Sequence, residues 1–147
     1  MLEQNIDILC VAETKLDSSY PTNQFHLQGY KTPYRFDVSS SSGGILVYIK
    51  ESLPSKTLNE FSMDNDIQAI PLEINFKKCK WLILPIYRPG RTSGEHTIDN
   101  ISRLLDFYAN KFDNLLILGD FNMTEDDGVM LPLLDRHKLY SMVKQPT

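Results

Sequence analysis

Three apolar segments of this chain each run into a polar residue that can do chemistry. Ile6–Ala12 leads into Glu13, Trp81–Tyr87 ends in a phenol, and Leu115–Leu118 passes through Gly119 into Asp120-Phe121-Asn122. Side chains alternate along a strand, so Asp120 and Asn122 are expected on one face and Phe121 on the other. Phe121 can then pack inward and hold the polar pair outward. Gly119 leaves room for a ligand or a neighbouring backbone to approach. Side by side, the three strand ends would put two carboxylates, a phenol and an amide in one cleft. That inventory suits hydrolysis of a phosphate ester. The substrate is anionic and needs a hard divalent cation, for which Glu13 offers an oxygen ligand of the type Mg²⁺ prefers. Asp120 would orient a water and take its proton. Tyr87 and the Asn122 amide would stabilise charge on the phosphoryl oxygens.

Each feature also has a purely structural explanation. Asp-x-Asn after a strand is commonly a turn, because both side chains bond their own backbone. A lone Glu there is commonly a solvated loop residue. A Tyr at a strand end is commonly half-buried with its hydroxyl in water. The joint occurrence carries the functional reading.

The elements that must position these residues are legible as apolar runs. Ile6–Ala12 reads as a buried strand, and Leu2–Gln4 before it as the tail of a helix. Leu16–Tyr34 is mixed, with Gly29 and Pro33 marking turns. The serine run Ser39–Ser42, ending in Gly43-Gly44, reads as a mobile loop. Ile45–Ile49 is a second strand. Ile67–Phe76 is a third, with Ile70, Leu72, Ile74 and Phe76 alternating, and Pro71 suggests an edge or a bulge. Trp81–Tyr87 is a fourth and Leu115–Leu118 a fifth. Between those two, Thr97 reads as an N-cap, and Ile98, Ile101, Leu104, Leu105, Tyr108 and Phe112 recur at helical spacing to an end near Lys111. Val129–Leu139 suits a short helix that starts at or is interrupted by Pro132. Tyr140–Val143 suits the opening of another strand. The pattern indicates mixed α and β in layers, with no repeat, linker or domain boundary.

Composition narrows the classes. The chain has 147 residues, ordinary for one domain able to bury a core. Its net charge of −4 argues against holding DNA by bulk positive charge, though not against metal-assisted chemistry on nucleic acid. Cys10 and Cys79 are far apart in apolar runs, which excludes zinc-ligand spacing and suggests two buried free thiols. No apolar stretch reaches the roughly 18 residues of a membrane helix, and the N-terminus lacks the pattern of a signal peptide. No membrane partner and an intracellular location are expected.

Four blocks carry a family resemblance: Asp7-Ile8 through Glu13-Thr14, Gly43–Ile49 (GGILVYI), Tyr87-Arg88-Pro89, and Ile117–Asn122 (ILGDFN). In order and rough spacing they resemble the endonuclease/exonuclease/phosphatase superfamily. Within it, the chain is most similar to the apurinic-type endonuclease domain of LINE-like (non-LTR) retrotransposons. The resemblance covers residues 1–147, and the closing Leu139–Thr147 looks like the segment before that family's next catalytic strand. It implies an α/β (α+β) fold, a four-layer α/β/β/α sandwich with the site at one end of two packed sheets. It implies a Mg²⁺-dependent phosphodiesterase, with Mn²⁺ as an alternative ion, that nicks DNA and is nuclear if DNA is its substrate. Position by position, Glu13 matches the metal-binding glutamate and Tyr87 the phosphate-contacting tyrosine. Asp120 matches the aspartate that orients or deprotonates the attacking water, and Asn122 the asparagine paired with it.

The departures matter as well. The family's first strand carries an asparagine near the metal, and this chain begins after it. The family ends with a further aspartate and a Ser-Asp-His block, and this chain stops before both. Asp135-Arg136-His137 is not that block, because it precedes the segment that should come before it, and His96 reads as a solvated loop histidine. Ser42 stands where relatives carry a basic residue, and Gly90 where many carry a second Pro. The expectation is therefore a partial sandwich with weak or no activity by itself. Three other readings stay open: a catalytically dead remnant serving as an interaction module, a phosphomonoesterase of the same superfamily, and an α/β domain whose GDFN is only a turn.

Overall fold

The apolar runs form strands where two faces must be covered. The computed structural model describes residues 6–64, 66–123 and 128–143. Strands β1 (Ile8–Ala12), β2 (Tyr34–Phe36) and β3 (Ile45–Ile49) make an antiparallel sheet in the order β1-β3-β2. Strands β4 (Ser55–Thr57), β5 (Gln68–Ala69), β6 (Leu72–Phe76), β7 (Cys79–Tyr87) and β8 (Asn114–Asp120) make a second sheet around β7. Helix α1 (Gly94–Tyr108) connects β7 to β8, and α2 (Leu131–His137) follows. A short 3₁₀ turn covers Thr22–Phe25.

β7 explains the layering. Its Leu82, Leu84 and Ile86 pack with Ile98, Ile101, Leu104 and Leu105 of α1 and Leu133 of α2. Its Ile83 and Tyr87 face the other way, against Ile45, Val47 and Ile49 of β3 and Leu72 and Ile74 of β6. β8 alternates in the same sense, with Leu115 and Ile117 toward the helices and Leu116 and Leu118 between the sheets. A strand buried on both faces reads as a continuous apolar run. The described residues thus form three layers, α/β/β, of the α/β sandwich; α1 and α2 both pack on the five-stranded sheet, and the 3₁₀ turn is held to β2 by Arg35, which bonds Thr22 Oγ1 and lies over the Phe25 ring. No helix among them is long and apolar enough to cross a membrane.

Several expectations need correction. β1 is half-buried rather than buried, because it is an edge strand and Val11 faces outward, 39% exposed. Cys10 and Cys79 are free but also half-buried; burial pushes the Cys10 thiol up to about 11, so it stays protonated and inert. Pro71 makes neither a bulge nor a pure edge. Gln68↔Tyr87 and Leu72↔Ile83 share one register, so β5 and β6 are one extended line whose ladder is interrupted at the proline. Phe76 is exposed, since the β6–β7 hairpin turns at Lys77-Lys78, both with positive φ as a two-residue turn demands. The N-cap of α1 is Ser93, whose hydroxyl accepts from the His96 amide at 3.4 Å. Thr97 lies fully buried inside the helix and donates to the Ser93 carbonyl at 2.9 Å. His96 therefore stands in the first turn, with Nε2 3.2 Å from Asp64 Oδ2, rather than in a loop. The helix ends at Tyr108, and Phe112 packs on its cluster from the turn beyond. Pro132 sits in the first turn of α2, as its missing N–H allows. Tyr140–Val143 forms no strand, and its residues are exposed. The serine run closes on itself, with the Ser39 hydroxyl accepting from the Ser41 and Ser42 amides. The suggested helical tail at Leu2–Gln4 and the last residues of the closing segment lie outside the described residues.

Candidate active site

Parallel pairing brings two of the polar strand ends together. The α1 crossover makes β7 and β8 run the same way, so Tyr87 is the ladder partner of Asp120. The third end arrives from the other sheet: the Tyr87 hydroxyl donates to Glu13 Oε1 at 3.4 Å. Tyr87 is buried, while Glu13 and Asp120 are exposed at the rim. Burial first, and then the negative charges of Glu13 and Asp120, push the Tyr87 phenol above the ordinary tyrosine range. The phenol thus stays a proton donor, flanked by carboxylates from both layers.

Glu13 is held by its backbone. Both Glu13 and Lys15 have positive φ, and the Thr14 and Lys15 amides donate to the Gly44 and Gly43 carbonyls at 3.3 and 2.8 Å. A Cβ on Gly44 would stand 2.2 Å from Thr14 Oγ1, and its φ is +98°. Only glycine lets these two segments close on each other. The Gly44 amide in turn donates to Gln68 Oε1 at 2.7 Å. Gln68 is buried and is the ladder partner of Tyr87, so it ties the two sheets together at the site.

Asp120 and Asn122 are held by a turn instead of strand alternation. β8 stops at Asp120, and Asn122 has a φ of +46°. The Asn122 amide donates to Asp120 Oδ1 at 2.9 Å, and its Nδ2 donates to Asp120 Oδ2 at 3.3 Å and to the Arg88 carbonyl at 2.8 Å. Pair and turn are therefore the same structure. Phe121 packs inward on the helix-side cluster, as expected. The backbone that Gly119 admits is that of β7, since a Cβ there would lie 1.8 Å from the Ile86 carbonyl oxygen.

All four residues singled out from the sequence thus meet in one network. The histidines do not join it: His96 pairs with Asp64, His137 lies 2.8 Å from Ser102 Oγ, and His26 lines a separate depression with Thr22 and Pro33. Two participants escaped the sequence reading. Gln68 is a lone polar residue in an apolar run, a sign that a buried amide has a partner. Arg88 is buried behind the Asp120 turn. A cleft of about 320 Å³ opens next to the site, lined by Asp37, Asp66, Gln68, Pro89 and Arg91 among others, without reaching Glu13 or Asp120.

No three His, Cys, Asp or Glu side chains converge as metal ligands among the described residues. The donors at the site are carboxylate and amide oxygens of Glu13, Asp120 and Asn122. That set fits a hard cation that takes one or two carboxylates and completes its shell with water and substrate oxygens, and it does not fit a soft or tetrahedral metal.

The sequence model of the Endonuclease/Exonuclease/phosphatase family matches residues 1–145, and the chain belongs to that family. It is a family of phosphoester hydrolases. No curated protein matches the chain by sequence. Among solved structures, the chain is similar to humanized D. rerio TDP2 carrying 14 mutations, with a TM-score of 0.57 and 12% identity over 86% of this chain and 52% of that one. It is also similar to the human Nocturnin catalytic domain with bound sulfate anion, with a TM-score of 0.53 and 19% identity over 84% of this chain and 54% of that one. These likenesses establish a shared α/β sandwich fold, and the chain spans about half the length of either structure.

Proposed function

We propose that this chain carries part of the catalytic end of a divalent-metal-dependent phosphodiester hydrolase that nicks DNA, of the LINE-like retrotransposon type. The observation that carries the reading is the meeting of Glu13, Tyr87 and Asp120 across two sheets, with the Tyr87 hydroxyl on Glu13 and its phenol raised by burial and then by both carboxylates. Two carboxylates facing an anionic substrate repel it unless a cation intervenes. Glu13, with Asp120 nearby, would hold a divalent ion such as Mg²⁺ or Mn²⁺, which when bound neutralises charge on the phosphoryl oxygens. Asp120 accepts the proton of the attacking water as its oxygen bonds to phosphorus and the ester oxygen leaves. Asn122 keeps the Asp120 carboxylate oriented, since its Nδ2 is committed to Asp120 and Arg88. Tyr87 donates a hydrogen bond to a phosphoryl oxygen and keeps its proton. The choice of a DNA nuclease over a phosphomonoesterase rests on analogy at the Arg88-Pro89 loop and the closing Leu139–Thr147 segment, and the retrotransposon type on the resemblance of the motif blocks taken together.

Turnover is expected to be slow. No histidine and no third carboxylate joins the site among the described residues, and one missing preorganised donor commonly lowers a rate by about 10²–10³. The test is nicking of supercoiled plasmid by the purified chain with Mg²⁺ or Mn²⁺ and with chelator, beside Asp120→Ala and His26→Ala. Slow, metal-dependent nicking that disappears only in Asp120→Ala is the expected result. Nicking indifferent to Asp120→Ala would refute it. Hydrolysis of a phosphomonoester without nicking would place the site with the phosphatases of the family. A folded chain with neither activity would make it a binding module.

A further inference from the structure

Arg88 follows Tyr87 directly and is 6% exposed, although arginine is seldom buried without a paired charge. Among the described residues its partners are carbonyl groups. Nε donates to the Phe121 carbonyl, Nη2 to that of Asn122 and Nη1 to that of Thr92. Its main chain adds two more ties: its amide donates to the Asp120 carbonyl at 2.9 Å, and its own carbonyl accepts from Asn122 Nδ2 at 2.8 Å. Arg88 therefore makes four hydrogen bonds to the three consecutive residues Asp120, Phe121 and Asn122, and a fifth to Thr92 at the end of the loop leading to α1. A guanidinium can do this because its donors form a rigid planar fork; a lysine ammonium has no such fixed geometry. The left-handed backbone of Asn122, uncommon outside glycine, is held by this fork on its carbonyl side and by Asp120 on its amide side.

We propose that Arg88 is the positioning residue of this site: it fixes the Asp120-Phe121-Asn122 turn so that the Asp120 carboxylate stands beside Tyr87, and it acts through the backbone without touching substrate. Nε, Nη1 and Nη2 all face carbonyls of its own chain, and the side chain is buried, so Arg88 is not a phosphate grip. This assignment rests on the hydrolase reading for its catalytic meaning, but its geometry can be tested without turnover.

The experiment uses the whole chain labelled with ¹⁵N and ¹³C and follows by NMR the Asn122 backbone amide, which donates to Asp120 Oδ1, in the unsubstituted protein and in Arg88→Lys, well below each melting temperature. Arg88→Lys keeps the positive charge yet frees the turn, so the Asn122 amide should shift and exchange about tenfold faster, while the amides of β3 in the other sheet keep their rates. A role confined to folding would lower the melting temperature and speed exchange throughout without singling out Asn122; that result overturns the proposal. If Arg88→Lys fails to fold, the unsubstituted chain decides. Resolved, slowly exchanging Nε and Nη protons of Arg88 support a held guanidinium, and fast-averaged ones overturn it. These readouts survive a failure of the nuclease reading. Where the chain does nick DNA, Arg88→Lys should lower kcat by about 10²-fold, the scale of an ångström-level misplacement, with KM little changed. A rise in KM alone would mean that Arg88 touches substrate and would also overturn the proposal.

Discussion

Gly119 makes the closest backbone approach in the candidate site, and replacing it with alanine separates two effects that glycine hides. A Cβ at this position would lie 1.8 Å from the Ile86 carbonyl oxygen and 2.8 Å from its carbon. Ordinary contact is about 3.5 Å, so the β7–β8 ladder would have to open by about 1.7 Å one pair away from Tyr87↔Asp120. The φ of +139° adds backbone strain of about 1–3 kcal/mol, and forced overpacking typically adds about 1–3 kcal/mol more. Gly119→Ala should therefore destabilise the chain by about 2–6 kcal/mol, a large part of the roughly 5–15 kcal/mol that holds a domain folded. Two other glycines calibrate the terms. Gly29 has a φ of +84° with nothing within 4 Å, so Gly29→Ala carries strain alone, about 1–2 kcal/mol. Gly90 has open space around it and no positive φ, so Gly90→Ala should be neutral or stabilising by up to about 1 kcal/mol. Urea unfolding of the three variants, read as midpoints at constant m, gives the order directly. With m of about 2 kcal/mol/M the Gly119→Ala midpoint should fall by about 1–3 M. A Gly119→Ala no more costly than Gly29→Ala would refute the close approach of β8 to β7.

The remaining expectations concern the supports of the site and the helix layer. Gln68→Leu would leave the buried Gly44 amide without its acceptor, costing about 1–3 kcal/mol and speeding hydrogen exchange at Gly44; unchanged exchange there would contradict the cross-sheet tie. Leu104 is fully buried on the inner face of α1, and Leu104→Ala should cost about 2–5 kcal/mol in denaturant unfolding, whereas a cost below 1 kcal/mol would mean the helix does not cover β7 as described. Burial holds the His137 imidazole below the usual histidine range, so the native state binds its proton less readily than the unfolded chain. Its contribution to stability is then full above the unfolded histidine value and is lost as pH falls from that value through the lowered folded one. His137→Gln should flatten the fall in melting temperature across that window, and parallel curves for the two proteins would contradict this.

Much of this architecture is a local property of the chain. Composition alone bounds β3 at Ile45–Ile49, where the structure has it, because a short apolar run flanked by glycine and lysine has few other conformations. The stripe from Ile98 to Tyr108 marked α1 by period alone. β2 and β4 went unseen, because three residues such as Tyr34-Arg35-Phe36 or Ser55-Lys56-Thr57 have too little pattern and extend only by pairing with longer neighbours. The strand expected at Tyr140–Val143 is not formed, because propensity alone does not extend a backbone that stays exposed. Within the candidate site, residue types and strand-end positions were readable for Glu13, Tyr87, Asp120 and Asn122. Their meeting was not, since Glu13 and Tyr87 are 74 positions apart and touch only through the packing of one sheet on the other. Arg88 and Gln68 show the limit most clearly. A buried guanidinium and a buried amide have meaning only through the carbonyls and the N–H that tertiary structure places before them. Side-chain periodicity is written locally and can be read from the sequence, whereas the partner of a buried polar group is chosen by whichever distant backbone the fold brings within hydrogen-bond reach.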